Sequence, residues 1–403
     1  MFRGWLVVAG AFGVMFVGYG ATYAFSAFFD VLEAEFGATR AEVSLVFSIA
    51  GLLYFTLGAI SGRLADRIDP RWVIGFGIAV LGGGFLLAGS ASSLVGLYVG
   101  YGLGVGIGVG FAYVPSIAAV QPWFLRRRGF ASGLAVSGIG LGTLVVPPVA
   151  ATAIAAFGWR DAWLGIGIGV LAIGGLATFF IEASPARHGL HPDGEAPAAG
   201  AAPTRPNGLS VGEAVRTRAF WTLAGGAALA SLGLFIPFVH LVPYAQDQGM
   251  AKTDAVLLFS LIGIGSTVGR FVLGGLADRL GRKRAQTLMF AGIAASLAWW
   301  GVSTAPWALA LFALAFGTFY GGFVAIAPAL AADLFGARYV SGIIGLLYAS
   351  VGLGTLIGPP LAGLAFDLTR SYALPIYATA LLTLGASALT ATLRPPPRPS
   401  DQS

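Results

Sequence analysis

Apolar runs of about twenty residues or more, each closed by a short polar interruption, recur along this whole chain, and that is the length an α-helix needs to cross a bilayer. They lie near residues 5–31, 43–61, 72–91, 94–120, 130–157 and 161–181, and again near 219–245, 255–276, 285–304, 306–334, 340–366 and 372–393. The first is too long for a signal-peptide core and is read as a span. Twelve such runs predict an all-α membrane protein, because the composition leaves no room for a soluble body: 57% of the 403 residues are hydrophobic and 10% charged, against about 25% charged in soluble domains. The mean hydropathy of +0.84 excludes a single anchor on a soluble domain.

Between the sixth and seventh runs, residues 183–218 are rich in Pro, Ala and Gly with mixed charge. Such a stretch buries too little apolar surface to fold and reads as a linker. The expected organisation is a six-helix bundle over 1–182, a linker over 183–218, a second bundle over 219–394 and a tail over 395–403.

Net charge is +6, and its distribution explains it. With the N-terminus placed inside, 18 Lys and Arg fall in inside segments, and 4 (Arg40, Arg160, Lys252 and Arg370) fall in outside ones. Basic residues stay cytoplasmic, so both termini are expected in the cytoplasm and nucleic acid is not needed to explain the charge. Trp5, Trp72, Trp123, Trp159, Trp221 and Trp307 stand near run ends, where amphipathic rings prefer the interface. There are no cysteines, hence no disulfides and no thiolate chemistry. No Walker lysine, zinc-ligand spacing or hydrolytic triad occurs, so neither an enzyme, a metal nor a cofactor is expected. The glycine run Gly100–Phe111 lies inside an apolar span and suits close helix packing better than nucleotide binding.

The chain repeats itself. GRLADR at Gly62–Arg67 returns as GGLADR at Gly274–Arg279, and GLGTLVVPP at Gly140–Pro148 returns as GLGTLIGPP at Gly352–Pro360, both at an offset of 212. A duplicated six-span unit around a linker is a transporter architecture, with the site between the halves near the midplane. The paired prolines in spans 5 and 11 are expected to kink or locally break those helices.

With its twelve spans, central loop and GGLADRLGRKR at Gly274–Arg284, the sequence resembles the major facilitator superfamily over nearly its full length. The first copy of that loop motif departs from the pattern at Asp69 and Pro70. WFLRRRGFASGLAVSGIGLGT at Trp123–Thr143, with TYAF, HLVPYAQDQG and GSTVGR elsewhere, resembles the monocarboxylate transporter family and its prokaryotic oxalate/formate antiporter-like relatives. The resemblance implies a major facilitator fold, a bacterial cytoplasmic membrane, a monomer, and gating contacts at Asp66, Arg67, Asp278 and Arg279. Animal monocarboxylate transporters carry an Asp four residues before the span 8 Arg and a Lys in span 1. Those positions here are Ser266 and Ala27, so their proton relay does not transfer, and the extra Lys of oxalate/formate antiporters in span 11 is also missing.

Arg270 stands alone in span 8, about 12 Å above the loop motif, where a guanidinium costs a few kcal/mol. Its repeat counterpart is Gly58, so the duplicated scaffold does not require it. A planar fork in a water-filled cavity binds a carboxylate, whereas a snorkelling Arg is the plain alternative. All 17 acids lie at span ends, in loops or in the linker, which speaks against cations and amines. One positive charge favours a monoanion over a dianion. The resemblance implies that the helices carrying Tyr113, Tyr320 and Tyr348 line the site, where a phenol can donate to a carboxylate while its ring covers an aliphatic tail. A single membrane tyrosine is more often packing, Tyr348 above all, and Tyr23 and Tyr377 are weaker candidates. His240, toward the outer end of span 7, is the candidate proton carrier, the alternative being a helix-end His bonded to a carbonyl. The sequence thus points to a secondary transporter of a small monocarboxylate such as lactate or pyruvate, moved with a proton by alternating access. Organic-anion exchange of the oxalate/formate type is the alternative.

Overall fold

The computed structural model describes residues 2–65, 67–194, 208–336 and 338–396. Among them are twelve helical segments long and apolar enough to span a membrane. Spans 1 to 6 are Gly4–Phe36, Arg40–Ala65, Pro70–Gly89, Leu94–Trp123, Gly129–Phe157 and Trp159–Phe179. Spans 7 to 12 are Arg218–Asp247, Lys252–Ala277, Arg282–Val302, Pro306–Phe335, Val340–Thr369 and Ala373–Ala391. The two halves meet mainly where span 2 lies along span 11 and span 5 along span 8.

The paired prolines do not break spans 5 and 11. The α-helices continue through Pro147–Pro148 and Pro359–Pro360. Each proline removes one N–H and frees the carbonyl four residues earlier, but Ser260 of span 8 donates to the carbonyl of Leu144 at 2.9 Å and takes up the acceptor that Pro148 releases. The breaks fall instead in spans 1 and 7, at Ala24 and at Phe235, nearly equivalent points of the repeat. Span 4 carries a π-helical stretch over Tyr98–Val105, which overlaps the start of the glycine run.

The linker is folded at both described ends, contrary to its composition. On one side, Trp123 Nε1 donates at 3.0 Å to the carbonyl of Glu182, just before the linker, and Arg187 within it pairs with Asp69. Asp193 accepts from the backbone N–H groups of Arg126 and Leu125, at 2.8 and 2.9 Å, which hold its carboxyl below the usual value. On the other, Ser210 and Glu213 form a reciprocal capping box on the short helix Val211–Val215. Apolar packing adds to these bonds, since Ala214 is fully buried and Leu209, Val211 and Val215 join it in one cluster with Phe335 and Ile343 of the second bundle. Trp123 is accordingly buried and Trp159 nearly so, while Trp72, Trp221 and Trp307 are exposed at their span ends.

Candidate substrate site

Glycines fix span 8 against span 10. A Cβ on Gly269 would sit 1.9 Å from the carbonyl oxygen of Thr318, and one on Gly321 would sit 2.0 Å from that of Ser266, so the two backbones touch. Arg270 follows directly and turns toward the other half of the molecule. Its Nη1 makes only a long 3.5 Å contact with the Val136 carbonyl of span 5. The residue is 9% exposed, and Nε and Nη2 are buried without a hydrogen-bond partner. Those two nitrogens share one edge of the guanidinium, the edge that grips a carboxylate through two parallel N–H bonds.

That edge borders a central cavity of about 40 Å³ walled by tyrosines from both halves: Tyr19, Tyr23 and Tyr113 from the first, Tyr320 and Tyr348 from the second. Phe55, Phe235 and Phe323 fill the gaps between them. Tyr23 and Tyr320 hydroxyls meet across the halves at 3.3 Å, and Tyr19 sets its ring edge-on to Tyr113 at 5.3 Å. Arg270 is the charged residue in this lining. A wider cavity of about 520 Å³, touched by Tyr113, Arg270, Phe130 and Arg282, leads from the same guanidinium to the face that carries the termini.

Toward the opposite face the halves are sealed. Arg40 of span 2, 8% exposed, donates to both carboxylate oxygens of Asp247 of span 7, at 2.6 and 2.9 Å. Its guanidinium lies 3.8 Å over the ring of Phe366, and Asp367 of span 11 accepts from the backbone N–H groups of Arg40 and Ala41. Lys252 pairs with Asp30 at 2.8 Å beside it. His240 is buried in this layer and is absent from the lining of the central cavity. Its Nε2 faces the Pro359 carbonyl at 2.9 Å and Ser44 Oγ at 3.0 Å; its Nδ1 faces the Tyr372 hydroxyl at 2.9 Å. A carbonyl only accepts, so Nε2 carries the hydrogen and Nδ1 accepts from Tyr372, whose oxygen in turn accepts from Arg40 Nη1 at 3.0 Å.

The structure therefore brings Arg270, Tyr113, Tyr320 and Tyr348 together and sets His240 apart. Tyr348 lines the cavity, although its sequence context favoured packing, whereas Tyr377 is 40% exposed and faces outward. Arg67 and Arg279 are exposed at the termini face, and Asp66 and the Asp278 side chain lie outside the described residues. Sequence reasoning missed Tyr19, one turn before Tyr23 on the same helical face, and it placed Arg40 in a solvated loop. The signal for Arg40 was present: Asp247 and Asp367 end apolar runs on the same predicted face.

Two bundles of six membrane helices closed over a central site, with a seal on one side and a vestibule on the other, are the architecture of a secondary transporter rather than an enzyme. The description "Major Facilitator Superfamily" matches residues 11–301 and 284–403, and the chain belongs to that family. Among curated relatives, monocarboxylate transporter 12-B of Danio rerio is 29% identical, with 96% of this chain and 86% of that protein covered. Monocarboxylate transporter 11 of Homo sapiens is also 29% identical, covering 95% and 81%, and monocarboxylate transporter 13 of Bos taurus matches at 29% over 97% and 89%. Among solved structures, a bacterial homologue of the human lysosomal transporter Spinster, in an inward-facing and unoccupied conformation, superposes with a TM-score of 0.72 at 14% identity, over 97% of this chain and 96% of that one.

Proposed function

We propose that the chain carries a small monocarboxylate, of the lactate or pyruvate kind, across the bacterial cytoplasmic membrane by alternating access, with a proton as the coupling ion and both termini in the cytoplasm. One observation carries the reading: a buried guanidinium presents its two-pronged edge, unpartnered, to a cavity of tyrosine hydroxyls and aromatic rings. A carboxylate there satisfies Nε and Nη2 together, and Tyr113 or Tyr320 donates to an α-hydroxyl or α-keto oxygen. The cavity lining offers no carboxylate to an ammonium group and no second cation to a second carboxylate. The relatives' names support the same substrate class, and the basic residues support the orientation.

Coupling falls to His240 through the outer seal rather than through the substrate. A proton on Nδ1 takes the acceptor that Tyr372 uses, and so disturbs the chain from Arg40 through Tyr372 to His240. Arg67 and Arg279, with Asp66 and Asp278, act as gating contacts at the termini face.

The test is Arg270→Gln beside Arg270→Lys. Both variants are expected in the membrane, with the Gln form losing stabilisation by small carboxylates in a thermal-shift assay and the Lys form keeping part of it. Breaking a charge-assisted pair in a partly dehydrated cavity costs roughly 2–5 kcal/mol, more than tenfold in affinity. Near-normal carboxylate binding by Arg270→Gln refutes the assignment.

A further inference from the structure

A second hollow of about 40 Å³ lies against the central cavity, inside the second half. Phe323, Ala327, Tyr348 and Val351 line both spaces and form the wall between them. Beyond that wall the hollow is apolar, walled by Leu223, Phe290 and Leu347 among others, with one exception. Gln286 of span 9 lines it, is 3% exposed, and its amide oxygen is buried with no hydrogen-bond partner. An unsatisfied buried amide weakens a fold. The repeat offers a control, because the position 212 residues earlier is Ile74, fully buried in span 3. The scaffold thus takes an apolar residue at this point, just as it takes Gly58 where Arg270 stands. Two departures from the repeat, a guanidinium and an amide, both leave polar atoms unspent beside adjoining cavities.

We propose that this hollow is a subsite for the far end of the substrate. The substrate is then a monocarboxylate with an apolar body and a hydroxyl or N–H at the end remote from the carboxylate, which meets the Gln286 amide. This rests on the reading of Arg270 as the carboxylate clamp. The carboxylate sits on Nε and Nη2, the body passes between Phe323 and Tyr348, and the terminal donor pairs with Gln286 Oε1. A charged terminus is excluded, because no residue lining the hollow carries a countercharge. Lactate and pyruvate occupy the clamp and leave the subsite to water, for which a space of this size has room.

Matched ligands on the purified full-length protein decide it: propanoate, hexanoate and ω-hydroxyhexanoate, with affinities read by calorimetry. The expectation is that ω-hydroxyhexanoate binds about tenfold more tightly than hexanoate, because hexanoate desolvates the amide without pairing it. In Gln286→Met, of similar volume, that preference disappears while propanoate affinity stays within about twofold. Equal binding of the two long acids by the unmodified protein overturns the subsite, as does a hydroxyl preference that survives in Gln286→Met. In either case binding of propanoate leaves the Arg270 clamp standing. If neither propanoate nor hexanoate binds, the clamp itself is wrong and the subsite falls with it. Should Gln286→Met fail to fold, the comparison on the unmodified protein still decides.

Discussion

Asp247→Asn is expected to loosen the seal on the face opposite the termini. In the closed arrangement the Asp247 carboxylate takes two N–H bonds from Arg40, at 2.6 and 2.9 Å. The amide keeps one acceptor and loses the charge. A hydrogen bond between ionised partners contributes about 1.5–3 kcal/mol, but the Asp247 side chain is 31% exposed, so solvent screening brings the loss to roughly 1–2 kcal/mol. A change of that size moves a two-state equilibrium about five- to thirtyfold. The seal is weakened rather than abolished, because the Lys252–Asp30 pair and the Phe366 ring under Arg40 remain.

The chain has no cysteine, so a single introduced thiol reports the opening. Ser48 suits this purpose: it is fully buried, its hydroxyl has no hydrogen-bond partner, and it lies two turns inward from Arg40 on the helix face that carries Ser44. In proteoliposomes, a membrane-impermeant maleimide applied from the sealed side should label Ser48→Cys several times faster when Asp247→Asn is also present. Asp254→Asn, an exposed acid on the same side of the molecule, should leave the rate unchanged. Equal labelling with Asp247 and with Asn at that position would refute the view that this pair holds the halves together.

Two further outcomes are expected. His240→Gln keeps a donor for Pro359 and an acceptor for Tyr372 but cannot take up a proton, so substrate binding should persist while the pH dependence of uptake flattens; an unchanged pH profile returns His240 to a structural role. Gly269→Ala forces apart the backbones of spans 8 and 10, at a cost of roughly 1–3 kcal/mol, and should lower the melting temperature. Gly274→Ala, whose nearest neighbour would be 3.6 Å away, should not.

The spans were legible because the bilayer imposes a length and a composition that few other structures share, and the halves were legible because the repeat keeps one spacing. Arg270 stood out for the same reason: a charge inside an apolar run has no cheap structural explanation. Arg40 did not stand out, since at a run end a basic residue reads as solvated, and nothing local says that Asp247 and Tyr372 will close over it. Tyr19 and Phe235 were hidden among 29 Phe and 12 Tyr, where only the packing of helices tells a cavity wall from a lipid face. The linker misled because its overall composition averages over its ends, where Leu209, Val211, Ala214 and Val215 pack against the second bundle and Arg187 and Asp193 bond to the first.

On the proposed reading, Arg270 serves both tasks of a transporter. Its free edge faces the cavity, while Nη1 reaches across to the Val136 carbonyl of the other half. A carboxylate settling on Nε and Nη2 fixes the plane of the guanidinium, and with it the direction in which Nη1 points. If Arg270 is the carboxylate clamp, occupancy of the site and the contact between halves are read by one rigid group. The tyrosine collar adds to this, because Tyr23 and Tyr320 meet across the same boundary, and a ligand lying among them contacts both halves at once. A ligand shifts a conformational equilibrium only by binding one arrangement better than the other. A proposed site lined from both halves, with its charge at the seam, gives a ligand a direct way to meet that condition.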